Sequence, residues 1–323
     1  MIRFVKLLGS IVLVLMGGAS IVLAQSYPSK PIRVIVPFPA GGPSDVGMRL
    51  IAQKMTESMG QQVLVDNRPG ANTIIGAEAV AKAAPDGYTL LCAIDSTLTM
   101  NQFMYSKLPY DPIKDFAPVT SILWSPVIMV VDAAIGPKSV KDLLQEARAN
   151  PGKLNFGSGT VATRLIGEQI KSRAAIDVVY VPYKGSPETV KGLLSNDVRF
   201  IIDGVTSSVP HIRSGKFRAI ANLGARPISA LPGLPSFATE ADMPGFEAGV
   251  WLGVVATAGT PQSVVDRLNL EIRRALAMPD VIEKLSGSGL EPMVSTPAEF
   301  AAFIKKEAER SEPAIRKAGI RLD

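Results

Sequence analysis

The chain has 323 residues, 47% of them hydrophobic, with a formal net charge of +5, one cysteine and one histidine. A single Cys92 excludes an intrachain disulfide, and with His211 as the only imidazole the clustered ligands of a zinc site are missing. The basic residues are scattered, so no charged stripe marks a nucleic-acid surface.

Arg3 and Lys6 precede an uncharged apolar run from Leu7 to Leu23, and Val22 and Ala24 place small residues before polar Gln25. A basic start, an apolar middle and a small-residue exit spell a cleavable signal peptide over residues 1–24. The run is nearly long enough for a retained anchor, but the Gly17-Gly18 break and the Val22/Ala24 pair favour removal. No Cys follows the run, which argues against a lipoprotein. The mature chain keeps about 300 residues, enough for two domains.

Pro31–Val36 reads as a buried strand and Pro37–Pro43 as a Gly/Pro loop. Ser44 or Asp45 then caps a helix to about Gly60. Gln62–Asp66 is a second strand, Asn72 or Thr73 caps a helix to about Ala84, and Tyr88–Ile94 is a third strand holding Cys92 as a buried apolar residue. A similar set follows, with a strand at Pro126–Val131 and a helix from Ser139 to Arg148. Gly157-Ser158-Gly159-Thr160 leads into a helix to about Lys171, then come a strand at Val178–Val181, a helix at Glu188–Leu194 and strands at Arg199–Asp203 and Phe217–Leu223. A Pro/Gly-rich stretch, 226–245, precedes the apolar run Val250–Ala256, a helix opened by Thr260-Pro261 and a last helix from Pro297 to Lys317.

Alternating strand and helix units predict parallel sheets covered by helices, with ligands outside the carboxyl ends of the strands. The chain is expected to form two α/β lobes, 25–125 with 249–323 and 126–248, joined by two crossings that make a hinge. Trp124 and Trp251 fall beside those crossings as packing residues. A Ser-His-Asp hydrolase would have to use His211, and no G-x-S-x-G elbow is present. Gly157-x-Gly159-x-x-Ala162 fits a dinucleotide fingerprint, but the strand before it is short and the next strand ends in Tyr183-Lys184 without the required acid.

The opening Tyr27-Pro-Ser-Lys-Pro-Ile-Arg-Val-Ile-Val-Pro-Phe-Pro-Ala-Gly-Gly-Pro-Ser-Asp45 resembles that of the Bug-type receptors, the extracytoplasmic solute-binding proteins of tripartite tricarboxylate transporters. The resemblance continues through Asp66–Ala71, Pro85–Leu91, Leu108–Pro112, Val181–Gly185, Ser214–Ala219, Leu231–Ser236 and Gly259–Pro261. It implies a two-lobed periplasmic binding-protein fold of type II-like form, each lobe a mainly parallel sheet flanked by helices with a two-stranded hinge. It also implies capture of a small organic carboxylate by loop amides, hydroxyls and water, with neither a cofactor nor a metal. The partners it implies are membrane transporter subunits, met by a periplasmic monomer that is not an enzyme. A sensor input for a membrane histidine kinase, or an enzyme acting on a carboxylate, stays as the alternative.

Candidate ligand residues lie on two strand-to-helix turns. In the first, Gly41 and Gly42 let backbone N–H groups approach a ligand, with Ala40 and Ser44 beside them and Phe38 as an apolar wall. Asp45 would repel a bound carboxylate, so it is expected to cap the helix or meet a ligand hydroxyl, amine or water. The second turn contributes Ser158, Gly159, Thr160 and Thr163, in a loop shorter than the family's; Arg164 stands where relatives carry a His and is expected on the solvated face. Ser96, Thr97, Gly185 and Asp203 at strand ends complete the set, with Asp95 and Tyr183 near them and Lys184 expected at the surface.

Overall fold

The computed structural model describes residues 27–322; the expected signal peptide lies outside them. The strands are β1 (Ile32–Val36), β2 (Val63–Asn67), β3 (Thr89–Ile94), β4 (Phe116–Asp132), β5 (Asn155–Ser158), β6 (Val179–Pro182), β7 (Phe200–Gly204), β8 (Phe217–Asn222), β9 (Gly249–Thr257) and β10 (Glu291–Pro292). Ile32, Val34, Ile35 and Val36 are fully buried, as a strand covered on both faces requires.

One continuous path joins the strands in the order β2-β1-β3-β9-β4-β7-β5-β6, with β10 and β8 also paired to β4. The expectation of mainly parallel sheets holds only for the outer strands. β1 is parallel to β2 and β3, and β5 is parallel to β6 and β7, while every pairing of β4 and β9 is antiparallel. The 17-residue β4 carries both lobes. It pairs with β9 as far as Pro126↔Gly249 and with β7 from Val127↔Gly204 onward.

The first half of β4 is not legible as a strand, because Pro118, Thr120 and Ser121 interrupt its apolar pattern. The structure accommodates them at two register shifts, Pro118/Thr120 and Ser121/Leu123. That is where a strand tolerates a residue without an N–H. Thr120 Oγ1 donates to the Ser295 carbonyl at 2.9 Å, and the Ser121 hydroxyl donates to Ser295 Oγ at 3.0 Å.

Helices cover both faces. Ser139 caps Val140–Ala149 by accepting from the Asp142 amide, and Thr296 caps Pro297–Ala318 in a capping box with Glu299. The cap of Ile74–Ala81 differs from expectation. Thr73 is its N-cap residue but makes no side-chain cap bond, and Ala71, Asn72 and Thr73 all have positive φ (44°, 48° and 78°). Three consecutive non-glycine residues in that region carry backbone strain, which surrounding contacts must hold. The helix Val205–Arg213 was not anticipated, because β-branched residues and Pro210 weaken its signal. Trp251 is buried edge-on against Phe300 and Phe303, while Trp124 packs over Gly249 at the crossing. Among the described residues no helix is long and apolar enough to cross a membrane.

Candidate functional site

The first strand-to-helix turn begins at β1. Gly42 is the N-cap of Pro43–Met59 and Pro43 takes the first helical position, so Ser44 and Asp45 sit inside the first turn instead of capping it. Gly41, at φ +86°, turns the chain in a region that glycine occupies without penalty. Its amide is not free for a ligand, since it donates to Asp45 Oδ2 at 3.0 Å. Asp45 Oδ1 accepts from Arg49 Nε at 2.9 Å and from Asn67 Nδ2 at 3.0 Å. Burial would raise the Asp45 pKa, but these bonds from Arg49, Gly41 and Asn67 outweigh it and hold the carboxyl below its ordinary value. Asp45 therefore braces the loop and does not line the cavity beside it. Ala40 and Gly41 form the exposed tip and do not line it either.

That cavity lies between the lobes. Its lining brings together Phe38, Gly42 and Ser44 from the first lobe and Thr160, Thr163, Gly185 and Asp203 from the second. Gly42, Thr160, Gly185 and Gly204 all line it, and each is the N-cap of a helix: Pro43–Met59, Val161–Ala174, Ser186–Leu194 and Val205–Arg213. First-turn amides lack intrahelical acceptors, and helix dipoles put partial positive charge at that end. Four such ends around one cavity favour an anion there, and no Arg, Lys or His lines it. Two of the four turns were the expected pair and Gly185 was a named candidate. Gly204 was missed, its only signal being a glycine directly after a buried strand.

Contacts across the cleft show the lobes closed on each other. Ser207 Oγ donates to the Gly41 carbonyl at 3.3 Å, and Gly185 lies against Pro39. Within the second lobe, Thr160 Oγ1 accepts from the Thr163 amide at 3.1 Å, and the two hydroxyls stand 2.9 Å apart. Removing a threonine cap costs about 1 kcal/mol. Thr160→Ala should accordingly lower the thermal midpoint by a few degrees and Thr160→Ser should restore it, as differential scanning calorimetry would show. Ser158 is fully buried and outside the cavity, its hydroxyl turned to the Thr160 carbonyl at 3.4 Å. Gly159 lies where the turn crosses the Gly185 backbone.

Asp203 is 1% exposed. Its Oδ1 accepts from Ser186 Oγ at 2.6 Å, while Oδ2 has no partner. Burial pushes its pKa up to about 7, only partly offset by the Ser186 hydrogen bond and the nearby Gly204 amide. Ser125 Oγ, also in the lining, is likewise buried without a partner.

A second compartment shares Phe38 and Thr160 with the first and is lined by Ala71, Asn72, Thr73, Ser96, Gly159, Tyr183 and Lys184. Ser96 thus reaches the cleft, and Lys184, exposed as expected, borders it. Thr97 does neither. It is fully buried and its hydroxyl meets Thr73 Oγ1 at 2.8 Å, helping to hold the strained 71–73 segment. Asn101 Nδ2 adds a bond to the Asn72 carbonyl at 3.1 Å. That segment was not among the expected site residues. Asp95 caps Ser96 through its amide and lies outside both compartments. Arg164 is neither an ion-pair partner in the cavity nor solvated: it is half-buried, with its guanidinium 4.8 Å from the Tyr180 ring centre.

Residues 48–320 match the family model described as tripartite tricarboxylate transporter family receptor. A protein from the tcbD-tcbE intergenic region of Pseudomonas sp. strain P51 is 42% identical, the match covering 90% of this chain and 87% of that protein. Protein BugT of Bordetella pertussis is 35% identical over 95% of this chain and 94% of its own. Among solved structures, R. palustris Rpa4515 with adipate superposes with a TM-score of 0.88 at 33% identity, covering 91% of this chain and 99% of that one. MatC from Rhodopseudomonas palustris with bound malate gives 0.83 at 30% identity, covering 90% and 100%. With the closed two-lobed fold and the helix starts around its cleft, these matches show that the chain belongs to the Bug-type receptor family of the tripartite tricarboxylate transporters.

Proposed function

We propose that this chain is a periplasmic receptor, exported by a signal peptide over residues 1–24, that captures a small organic carboxylate between its lobes and presents it to transporter subunits. The observation that carries the reading is the convergence of four helix N-caps, Gly42, Thr160, Gly185 and Gly204, on one cavity without a cationic side chain. The two relatives with adipate and malate point to the same ligand class.

The ligand is held by first-turn amides, the hydroxyls of Ser44 and Thr163, and water. An open form loads at one lobe, and contacts from the other stabilise the closed form. Closure expels solvent, which strengthens each amide-to-carboxylate hydrogen bond. The closed shape is what the membrane partner reads, and the receptor acts as a monomer that releases its ligand unchanged.

A thermal-shift screen of carboxylic acids against the mature protein tests this. An acid at 100 times its Kd should stabilise the fold by about 2.7 kcal/mol. A response to neutral sugars or metal ions, with none to any acid in a broad panel, would overturn the carboxylate assignment.

A further inference from the structure

We propose that Asp203 is the residue that makes ligand capture proton-linked, donating a hydrogen bond as a neutral carboxylic acid to the carboxylate of the bound guest. The inference rests on the carboxylate reading above and adds to it how the cavity tolerates an acid beside an anion.

Three observations lead there. Asp203 lines the cavity at 1% exposure, and its Oδ2 is buried without a partner. No other titratable side chain shares the lining, so nothing there neutralises an ionised Asp203. The remaining acceptor, Oδ1, is engaged by Ser186 Oγ at 2.6 Å, which leaves Oδ2 as the atom to carry the proton. A buried carboxylate without a cation is strongly disfavoured, and a second carboxylate in the same cavity would add like-charge repulsion. A shared proton removes both penalties, and a hydrogen bond to an ionised acceptor belongs to the strong class. Ser125 Oγ, the other unpartnered atom in the lining, supplies a second donor.

The charged groups on the packed elements are occupied or lie away from this end. On Val161–Ala174, the Arg164 guanidinium lies 4.8 Å from the Tyr180 ring centre, Glu168 pairs with Lys171 at 3.1 Å, and Arg173 lies over Phe246. On Ser186–Leu194, Glu188 is exposed and accepts from the Lys184 amide, and Lys191 is in the last turn. On Val205–Arg213, His211 and Arg213 are in the last turn, opposite the end that meets the cavity. On Pro43–Met59, Asp45 and Arg49 bond to each other. The stretch of β4 beside β7, Val127–Val131, carries no titratable side chain.

The proton balance is one for one. Where free Asp203 is ionised, binding the anion takes up one proton from solvent, so affinity falls with rising pH. With the Asp203 carboxyl half-ionised at about 7, the Kd of adipate or malate should rise about fifty-fold between pH 7 and pH 9. Calorimetry at pH 8 in buffers of different ionisation enthalpy should register close to one proton taken up per ligand.

Asp203→Asn keeps the Oδ1 acceptor for Ser186 and presents a permanent donor at the other position. It should bind with a flat pH profile and outbind the native chain at pH 9. A native affinity that is level or climbs with pH would overturn the assignment, the second result pointing instead to an ionised Asp203 that accepts from a ligand hydroxyl or ammonium. A carbon-13 carboxyl titration of the free protein, with the Asp203 signal identified by its loss in Asp203→Asn, decides the group independently of any ligand. A signal ionised at pH 5 would overturn the assignment. Failure of every acid to bind at every pH would end the carboxylate reading itself.

Discussion

Replacing Gly159 by alanine should abolish ligand capture and destabilise the second lobe. The added methyl would stand 2.6 Å from the Gly185 Cα and 2.8 Å from its carbonyl oxygen. These are backbone atoms, and they cannot rotate aside as a side chain would. The turns bearing Thr160 and Gly185 must separate, and both are N-caps at the cavity. Forced overpacking of a close contact costs about 1–3 kcal/mol, so the midpoint should fall by several degrees. Binding should fall further than stability, because the loss comes from displaced amides at the ligand. Calorimetry and a binding titration on one preparation would separate the two, and native affinity in this variant would remove the crossing from the site.

Gly42→Val should leave stability near native while also removing binding. Gly42 has φ −82° and ψ 172°, an extended conformation that valine favours. The nearest atoms to an added Cβ are the Pro39 carbonyl at 3.8 Å and Pro187 Cδ at 3.9 Å, ordinary contact distances. The free protein should unfold at or slightly below its native temperature, because the lost freedom of the unfolded chain offsets valine's poorer standing as an N-cap. The branched methyls, however, enter the space the ligand carboxylate needs beside the first-turn amides. Affinity should drop by at least about a hundredfold, roughly 2.7 kcal/mol. Gly42→Ala should lie between. Unchanged affinity for Gly42→Val would take this turn out of the site.

The two variants expose a difference between glycines that look alike in the sequence. Both follow a buried strand and precede a helix, and both were read as making room for a ligand. In the structure Gly42 borders the cavity, whereas Gly159 makes room for another stretch of main chain. Gly41 does neither: its positive φ shapes the turn and Asp45 consumes its amide.

Legibility followed the range of the interaction. Strands with unbroken apolar runs, such as Leu90–Ile94 within β3, were plain because a strand buried on both faces has no polar positions. Val140–Ala149 and Pro297–Ala318 were plain because their caps are built from residues three apart. The first half of β4 was hidden because its polar residues find their partner in Ser295, more than 170 positions away. Thr97 was misassigned for the same reason, its hydroxyl being turned to Thr73.

The expectations of an exported chain, of two lobes and of an anion at helix starts all follow from short-range chemistry: an apolar first stretch, alternating strand and helix periods, and glycine beside a cap. How many helix starts share one cavity, and that Asp203 stands among them with an unpartnered oxygen, is a property of strand order. β4 and β9 bring turns from distant parts of the chain to one cleft. Such convergence depends on pairings between residues remote in sequence, and local propensity carries no record of them.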